Sequence, residues 1–270
     1  MRYRARMTRL VVLGGGRMGS AFVGGLLHAG WAAPEDCTVV ERREDTRVAL
    51  EYRFPGLRTA ESPVGGDAVI LAVKPGDAEA ACRALPPGGY HRVLSIVAGA
   101  TIEQLESWLW DGARVLRAMP NTPALIGLSA SAVSAGSCAD GDDLAWAESV
   151  LSAIGVVVPV AEHLLDAVTG LSGSGPAYVF LIAEALVEAG VLQGLDREVA
   201  RVLAVQTLVG ASRMLAETGE SAEALRAAVT SPGGTTAAAL RELESRAVRV
   251  AILDAVAVAT RRSKELSTGL

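Results

Sequence analysis

The feature that most constrains the fold is a glycine-rich turn between an apolar run and a helical stretch. Leu10–Leu13 is typical of a buried strand, and Gly14-Gly15-Gly16-Arg17-Met18-Gly19 follows it directly, before a helix predicted to end at Gly30. Gly14 and Gly16 let the backbone turn tightly and lie close to a pyrophosphate, and the helix N-terminus supplies free N–H donors. Gly19 permits close packing of the helix on the strand. The pattern predicts a dinucleotide site, although glycine-rich turns that bind nothing are also common.

Segments typical of strands alternate with helical stretches over about the first 160 residues. The later predicted strands cover 38–40, 67–73, 92–97 and 114–119. A helix among them begins with a capping box formed by Thr101 and Gln104. The alternation predicts βαβ units, a mainly parallel sheet and an α/β, Rossmann-like domain over residues 8–161, preceded by a disordered extension over 1–7.

The rest of the chain, residues 162–270, is predicted to be an all-α domain. We expect helices to open at Pro176, after a cap at Asp196 and at Ser221, and a last helix to span about 246–266. That last helix is apolar nearly all round, and such a helix must be buried. About a hundred residues of helix cannot bury this surface alone. The sequence therefore predicts an intertwined homodimer, with further assembly left open.

Composition excludes several classes of protein. The chain has 25 Lys and Arg against 30 Asp and Glu, and 4% aromatic residues, which argues against a nucleic-acid-binding surface. No apolar run approaches the roughly 18 residues that a membrane span needs. Three separated cysteines are typical of a reducing cytoplasm, and three scattered histidines form no metal-ligand cluster. We expect a cytoplasmic protein with no nucleic-acid, membrane or metal partner.

The end of the second predicted strand bears on the choice of cofactor. Glu41 follows that strand, and an acidic residue there often holds the ribose hydroxyls of NAD. Arg42 and Arg43 come next, and an arginine there accepts the 2′-phosphate of NADP. Two adjacent arginines in an acidic chain favour NADPH. NADH, held by Glu41, and a solvated loop without a ligand are the alternatives.

Two more segments lie at the same predicted sheet edge, where ligands bind in open α/β sheets. Lys74 and Pro75 follow one strand. The sequence leaves three roles open for Lys74: a catalytic acid, a cofactor contact or a solvated loop lysine. Asn121 and Thr122 follow another strand and either bond the nicotinamide or cap the turn.

The helical half contains two Gly/Ser-rich segments, 171–176 and 231–236, which are predicted loops before helices. Backbone N–H groups, hydroxyls and a helix N-terminus make such a loop a candidate anion pocket, although helix capping explains either loop alone. Two such loops in a chain that also has a nucleotide-binding turn favour a small carboxylate substrate.

Glu162 and His163 are adjacent, so on an extended segment they point in opposite directions and do not make an acid–base pair.

Five segments together resemble the Δ1-pyrroline-5-carboxylate reductase family. They are GGGRMG at 14–19, AVKP at 72–75, RAMPNTP at 117–123, DAVTGLSGSGPAYVF at 166–180 and SPGGTT at 231–236. The last two are far more specific than the glycine motif, and the resemblance runs from about residue 9 to 266. It implies a Rossmann domain, a helical dimerisation domain and reduction of pyrroline-5-carboxylate to L-proline by NAD(P)H, the last step of proline biosynthesis.

The resemblance and the motifs together give a set of candidate site residues. The candidate cofactor contacts are Leu13, Gly14, Gly15, Gly16, Arg17, Met18, Arg42, Arg43, Ala72, Val73, Lys74, Pro75, Val97, Ala98 and Asn121. The candidate substrate contacts are Glu162, Ser174, Ser231, Gly233, Gly234, Thr235 and Thr236. Thr236 is the candidate catalytic residue, as an orienting and relay group. Ala228 stands where some family members have a cofactor-contacting asparagine, so that contact is not expected here.

Two other functions stay open on the sequence alone. One is a related NADPH-dependent imine or β-hydroxyacid reductase, and the other is a non-enzymatic NADPH-binding dimer. A lysine acid in the helical half would favour hydroxyacid chemistry, but that half contains only Lys264, near its end. The complete SPGGTT segment argues against a protein that only senses the cofactor.

Overall fold

The computed structural model describes residues 10–268, so the predicted extension at 1–7 lies outside the described residues. The strands in this range are β1 (Leu10–Leu13), β2 (Cys37–Val40), β3 (Arg58–Ala60), β4 (Ala68–Leu71), β5 (Arg92–Ser95), β6 (Val115–Met119), β7 (Ser129–Ala135) and β8 (Gly155–Pro159). The α-helices are α1 (Arg17–His28), α2 (Glu44–Arg53), α3 (Ala78–Arg83), α4 (Ile102–Trp108), α5 (Gly141–Ser152), α6 (Leu165–Val168), α7 (Gly175–Leu192), α8 (Arg197–Glu217), α9 (Ala222–Ala228), α10 (Thr235–Ser245) and α11 (Val248–Thr268).

The strands form one sheet in the order β3-β2-β1-β4-β5-β6-β7-β8. Every neighbouring pair is parallel except β6 and β7. Strand β1 lies between β2 and β4, with Leu13 opposite Val40 on one side and Leu71 on the other. The direction of winding reverses at this point, which opens a crevice beyond the carboxyl ends of β1 and β4. The predicted α/β class and mainly parallel sheet are confirmed.

Alternate residues of the central strands enter two separate cores. Val12 of β1 belongs to the cluster that contains Phe22 of α1, whereas its neighbour Val11 belongs to the cluster that contains Leu105 of α4. All four residues are buried. A parallel sheet covered on both faces requires continuous apolar strands of this kind. The two cores hold the strand ends, and therefore the crevice, in a fixed position.

The chain divides into two compact units, residues 10–174 with 257–268 and residues 175–256. The second unit buries only Ala200 and Ala204 among its described residues, while Phe180, Leu203 and Leu253 are 54–65% exposed. By length and composition alone, the helical stretches Glu162–Leu192 and Arg197–Glu217 are apolar enough to cross a membrane. Helices buried inside an oligomer have the same composition.

Several helix starts agree with prediction, but the segment 171–176 does not. Thr101 caps α4, Asp196 caps α8 and Ser221 caps α9 through side-chain oxygens. The predicted loop at 171–176 is wrong, because Thr169–Gly173 is a π-helical turn closed by the Ser174 N–H on the Thr169 carbonyl, at 2.8 Å. Helix α7 begins at Gly175, so Pro176 lies in its first turn, within one residue of the predicted start. The wider π turn gives the proline ring room beside the carbonyl four residues earlier.

A buried carboxylate joins α5 to β5 and to the residue that precedes β6. Asp143 has no exposed surface, and it accepts from Arg92 Nε at 2.6 Å and Arg114 Nη1 at 3.0 Å. It also accepts the Asp140 N–H at 3.0 Å, which completes a capping box on α5. Burial by itself would raise the pKa of this carboxyl. The hydrogen bonds from Asp140, Arg92 and Arg114 outweigh that effect and hold its pKa below the ordinary value.

We predict that Asp143→Asn lowers the free energy of unfolding by about 3 kcal/mol at pH 7, because it removes the charge that two arginines share. A carboxyl with a lowered pKa stabilises the fold above its unfolded pKa of about 4, and the effect disappears as the pH falls through the folded pKa. Urea unfolding of the two proteins between pH 3 and 7 measures this. Asp142→Asn, at the exposed neighbour, is the control and should cost under about 1 kcal/mol. An equal loss in both variants would contradict the prediction.

Candidate active site

A cavity of about 520 Å³ lies in the crevice at the carboxyl ends of β1, β2 and β4. Of the predicted cofactor contacts, it is lined by Leu13, Gly14, Gly16, Arg42, Arg43, Ala72, Val73 and Lys74. Gly15, Arg17, Met18, Pro75, Val97, Ala98 and Asn121 do not line it. The cavity thus brings together three of the predicted segments, 13–16, 42–43 and 72–74, which are far apart in the sequence.

The cavity also has polar lining residues that the sequence analysis missed: Thr46, Glu61, Ser62 and Asp77. Glu61 and Ser62 follow β3, which was not predicted because it has three residues and begins with an exposed arginine. Asp77 ends a short 3₁₀ turn after Lys74. Only the pairing of Thr59 and Ala60 with β2 identifies these residues as a strand, and the sequence does not show that pairing.

The glycine turn has the geometry that a dinucleotide pyrophosphate requires. Gly14 has φ +109°, and a Cβ there would lie 2.6 Å from the Ala72 carbonyl oxygen. A Cβ on Gly19 would lie 1.9 Å from the Gly14 carbonyl oxygen, so only glycine allows α1 to approach β1 this closely. Helix α1 follows Gly16 with no side-chain cap and no acidic residue in its first turn. Its first N–H groups are therefore available to an anion.

Charged side chains surround the outer end of the cavity. Glu41 accepts the Gly15 N–H on Oε2 at 3.1 Å. Arg42 Nη2 lies 3.5 Å from Asp77 Oδ1, and Arg43 Nη2 lies 2.5 Å from Asp45 Oδ2. Both arginines therefore already have a carboxylate partner. Lys74 has no carboxylate within 4 Å in the part of the chain that the structure describes. It is the cation on this wall best able to meet a cofactor phosphate.

The side chain of Asn121 is buried and engaged at both ends. Its Oδ1 accepts the Ala130 N–H at 3.0 Å and the Ser129 hydroxyl at 3.2 Å, and its Nδ2 donates to the Ser172 carbonyl at 2.9 Å. In a regular helix that carbonyl would accept from Pro176, which has no N–H. The Asn121 amide supplies the missing donor, and it does not cap the turn that follows it. Its contact with the nicotinamide stays a prediction.

Glu162 is held by an ion pair that the sequence analysis did not anticipate. Its Oε1 accepts from Arg117 Nη1 at 2.9 Å and from the Ile102 N–H, at the start of α4, at 2.6 Å. The Arg117 side chain is only 7% exposed. A charged residue inside a predicted strand was the available signal, because a buried arginine needs a carboxylate partner. Glu162 therefore has a structural role, and its contact with substrate stays a prediction.

The segment 231–236 forms a tight turn before α10, as predicted. The Gly234 N–H donates to the Ser231 carbonyl at 3.1 Å, and α10 begins at Thr235 without a side-chain cap or an acidic first turn. Thr236 is half-buried in that first turn. Its hydroxyl has no hydrogen-bond partner among the described residues, so it does not cap the helix there. The turn thus offers unused N–H groups, and the Thr236 hydroxyl is one of three hydroxyls there, with those of Ser231 and Thr235, that have no hydrogen-bond partner among the described residues.

Family models match both halves of the chain. Residues 9–99 match a model described as NADP oxidoreductase, coenzyme F420-dependent, and residues 162–266 match one described as pyrroline-5-carboxylate reductase dimerisation. The first range contains the three segments that line the cavity near β1, β2 and β4. The second contains the turn before α10.

Individual relatives match over nearly the full chain. A pyrroline-5-carboxylate reductase of Synechocystis is 41% identical, over 96% of this chain and 98% of its own length. The solved structure of the Coxiella burnetii enzyme has a TM-score of 0.88 at 36% identity, over 97% of this chain and 99% of that chain. The Plasmodium falciparum pyrroline carboxylate reductase, solved with NADP bound, has a TM-score of 0.85 at 28% identity, over 96% and 98% of the two chains. With this identity along its whole length, the chain belongs to the pyrroline-5-carboxylate reductase family.

Proposed function

We propose that the protein reduces Δ1-pyrroline-5-carboxylate to L-proline with NADPH, or with NADH, as the last step of proline biosynthesis. The observation that carries this is the 41% identity with a reductase of that name over 96% of the chain. The test compares NADPH oxidation with three compounds: pyrroline-5-carboxylate, pyrroline-2-carboxylate and the carbonyl compound that a β-hydroxyacid dehydrogenase reduces. Turnover of pyrroline-5-carboxylate alone is expected. Turnover of only the carbonyl compound would overturn the proposal.

The residues of the cavity would hold the cofactor. The N–H groups at the start of α1 would bind the pyrophosphate, and Lys74 would meet a phosphate or ribose oxygen. When bound, the nicotinamide supplies the hydride that the C5 carbon of the cyclic imine accepts. The protein's own contribution is to hold and orient both reactants.

The turn before α10 would hold the substrate carboxylate. Its unused N–H groups and the uncapped helix N-terminus suit a small anion. The Thr236 hydroxyl would bond the ring nitrogen or the carboxylate. A threonine hydroxyl is too weak an acid to protonate an imine unaided, so we assign it an orienting and relay role, and water is an equal source of the proton. Ser174, Ser231 and Glu162 remain proposed contacts.

The apolar faces of the second unit are the proposed dimer interface. The match to a dimerisation model over 162–266 and the exposure of Phe180 and Leu253 both support this. Obligate interfaces of this type bury more than about 2,000 Å² in total. Assembly beyond the dimer and a cytoplasmic location stay predictions, the latter from the cysteine pattern.

A related hydroxyacid reductase is the second candidate function. Lys264, the only lysine of the helical half, is exposed on α11 beside Ser263, which donates to Asp166 at 2.6 Å. No observation favours it as an acid toward a substrate, so the imine reductase is the better supported function.

We predict that Gly19→Ala raises the dissociation constant for NADPH at least tenfold. A Cβ at this position meets the Gly14 carbonyl oxygen, which is backbone that cannot move without opening the turn. Gly24→Ala on the same helix is the control, because its Cβ meets only the far end of Phe54, at 3.2 Å. Fluorescence titration with NADPH, after circular dichroism has shown folded protein, measures both. Equal affinity in the two variants would contradict the assignment.

We predict that Thr236→Ala lowers kcat/KM for pyrroline-5-carboxylate by ten- to a hundredfold, since a bond to a charged group contributes about 1.5–3 kcal/mol. Thr236→Ser keeps the hydroxyl and should keep most activity, whereas Thr236→Val keeps the shape and should not. NADPH affinity should hardly change in any of them. If the Ala and Val variants turned over normally and lost only thermal stability, Thr236 would be a structural residue.

We predict that Leu253→Asp converts the dimer to monomer or aggregate, because it places an unpaired charge on the proposed interface. Leu253 is 65% exposed in the single chain, so the change does not disturb the packing within it. Val48→Asp, at a 59% exposed apolar residue of α2, is the matched control and should leave the dimer intact. Analytical ultracentrifugation at micromolar concentration reports the outcome. A wild-type protein that is monomeric at micromolar concentration would refute the proposed dimer interface.

A further inference from the structure

The loop between β3 and β4 forms one wall of the cofactor cavity. Its first residues, Glu61, Ser62 and Pro63, line the cavity, and Val64 follows them without lining it. Strand β3 lies next to β2 at the edge of the sheet, and the adenosine ribose of a dinucleotide lies at the end of the second strand. Residues 61–63 therefore stand on the adenosine side of the cavity rather than on the nicotinamide side.

Few hydrogen bonds hold this wall in place. Two backbone bonds to the segment 89–91, at 3.4 and 2.9 Å, fix only the end of the loop, at residues 66–67. Before that end, residues 61–65 have a single hydrogen bond within 10–268, the range that the structure describes: the Tyr90 hydroxyl donates to the Val64 carbonyl. The position of the wall therefore depends on one side chain.

A glycine separates the wall from the fixed end of the loop. Gly65 is exposed, its φ lies outside the left-handed region, and nothing beyond its chain neighbours lies within 4 Å of the place where a Cβ would be. Its backbone thus has the freedom of glycine in a conformation that does not require glycine. Without the bond from Tyr90, the wall would turn freely about this residue.

Tyr90 is a rigid anchor for the loop. It is 4% exposed, and its ring stacks on Trp110 with centroids 6.5 Å apart and 25° between the planes. Burial raises the pKa of the Tyr90 hydroxyl above its ordinary value near 10, so this group is a neutral donor at pH 7. Tyr90 does not line the cavity, so it acts on a ligand only through the loop.

We propose that Tyr90 is a positioning residue for the cofactor: its hydroxyl holds residues 61–63 in the place where they contact the adenosine end. The proposal rests on the proposed function, in which the cofactor occupies this cavity. Pro63 gives the wall an apolar surface, and Ala80 and Ala81 of α3 add small apolar side chains to the same cavity. Such a lining suits a flat purine ring, provided that the wall keeps its distance from α3.

The test is calorimetric binding of adenosine 5′-monophosphate to the full-length protein. Tyr90→Phe removes only the hydroxyl and keeps the ring on Trp110, and it should raise the dissociation constant about three- to tenfold, the range of one neutral hydrogen bond. Tyr52→Phe is the matched control, because it removes the hydroxyl of a tyrosine that is 89% exposed and does not line the cavity. It should change the dissociation constant less than twofold.

Turnover with pyrroline-5-carboxylate separates positioning from a general loss of structure. Tyr90→Phe should raise the KM for NADPH by a similar factor and leave kcat within twofold, because the hydride leaves the other end of the cofactor.

A second change tests whether the effect passes through the loop. Adding Gly65→Ala to the Tyr90→Phe variant restricts the backbone next to the wall without a steric conflict. The double variant should bind adenosine 5′-monophosphate at least twofold more tightly than Tyr90→Phe alone.

Three results would overturn the proposal: a Tyr90→Phe variant that loses thermal stability but binds the fragment normally, an equal shift in Tyr52→Phe, or a double variant that binds no more tightly. A wild type that does not bind the fragment would overturn the cofactor cavity and the proposal together. The expected changes in fragment binding, without reduction of pyrroline-5-carboxylate, would refute the proposed function alone and leave Tyr90 as the positioning residue.

Discussion

The close approach of α1 to the end of β1 is the constraint on which the rest of the cofactor cavity depends. The Gly14 carbonyl lies where a side chain on Gly19 would be, and Gly14 itself lies against the backbone of Ala72 at the end of β4. Backbone hydrogen bonds from Gly14 to Val40 and from Ala72 to Leu13 complete the contact between three strand ends. With the strand ends held together, the N-terminus of α1 and the side chain of Lys74 converge on a single crevice.

Ion pairs with a buried member organise the remainder of the first unit. Asp143 ties α5 to β5 and to the residue that precedes β6, and Glu162 joins Arg117 of β6 to the start of α4. Such pairs contribute little net stability compared with apolar packing, but removing one partner is costly because the other charge remains. These ion pairs therefore act mainly by fixing the positions of the elements that they join. They fix the sheet edge from which Met119 and Asn121 continue toward the π-helical turn.

The sequence was sufficient for the fold class and for the three segments that line the cavity, because each follows an apolar strand with a recognisable turn. It was insufficient for β3, whose short partly exposed strand has no apolar run, and for the π turn, where glycine and serine suggested a loop. The sequence also did not show that Arg43 pairs with Asp45 or that Arg117 pairs with Glu162. Charges that are neighbours in sequence do not show which partner each one selects in space, and this decides whether an arginine is available to a ligand.

The hydrogen bond from Asn121 to the Ser172 carbonyl links two positions that no helical or strand periodicity connects. Pro176 lies in the first turn of α7 and has no N–H, and the Asn121 amide donates to the carbonyl four residues before it. The two positions should therefore behave as one unit in evolution. A lineage that loses the amide at 121 leaves the Ser172 carbonyl without this donor unless an N–H returns at 176. A lineage that replaces Pro176 frees only the Nδ2 end of Asn121, because its Oδ1 still accepts from Ala130 and Ser129.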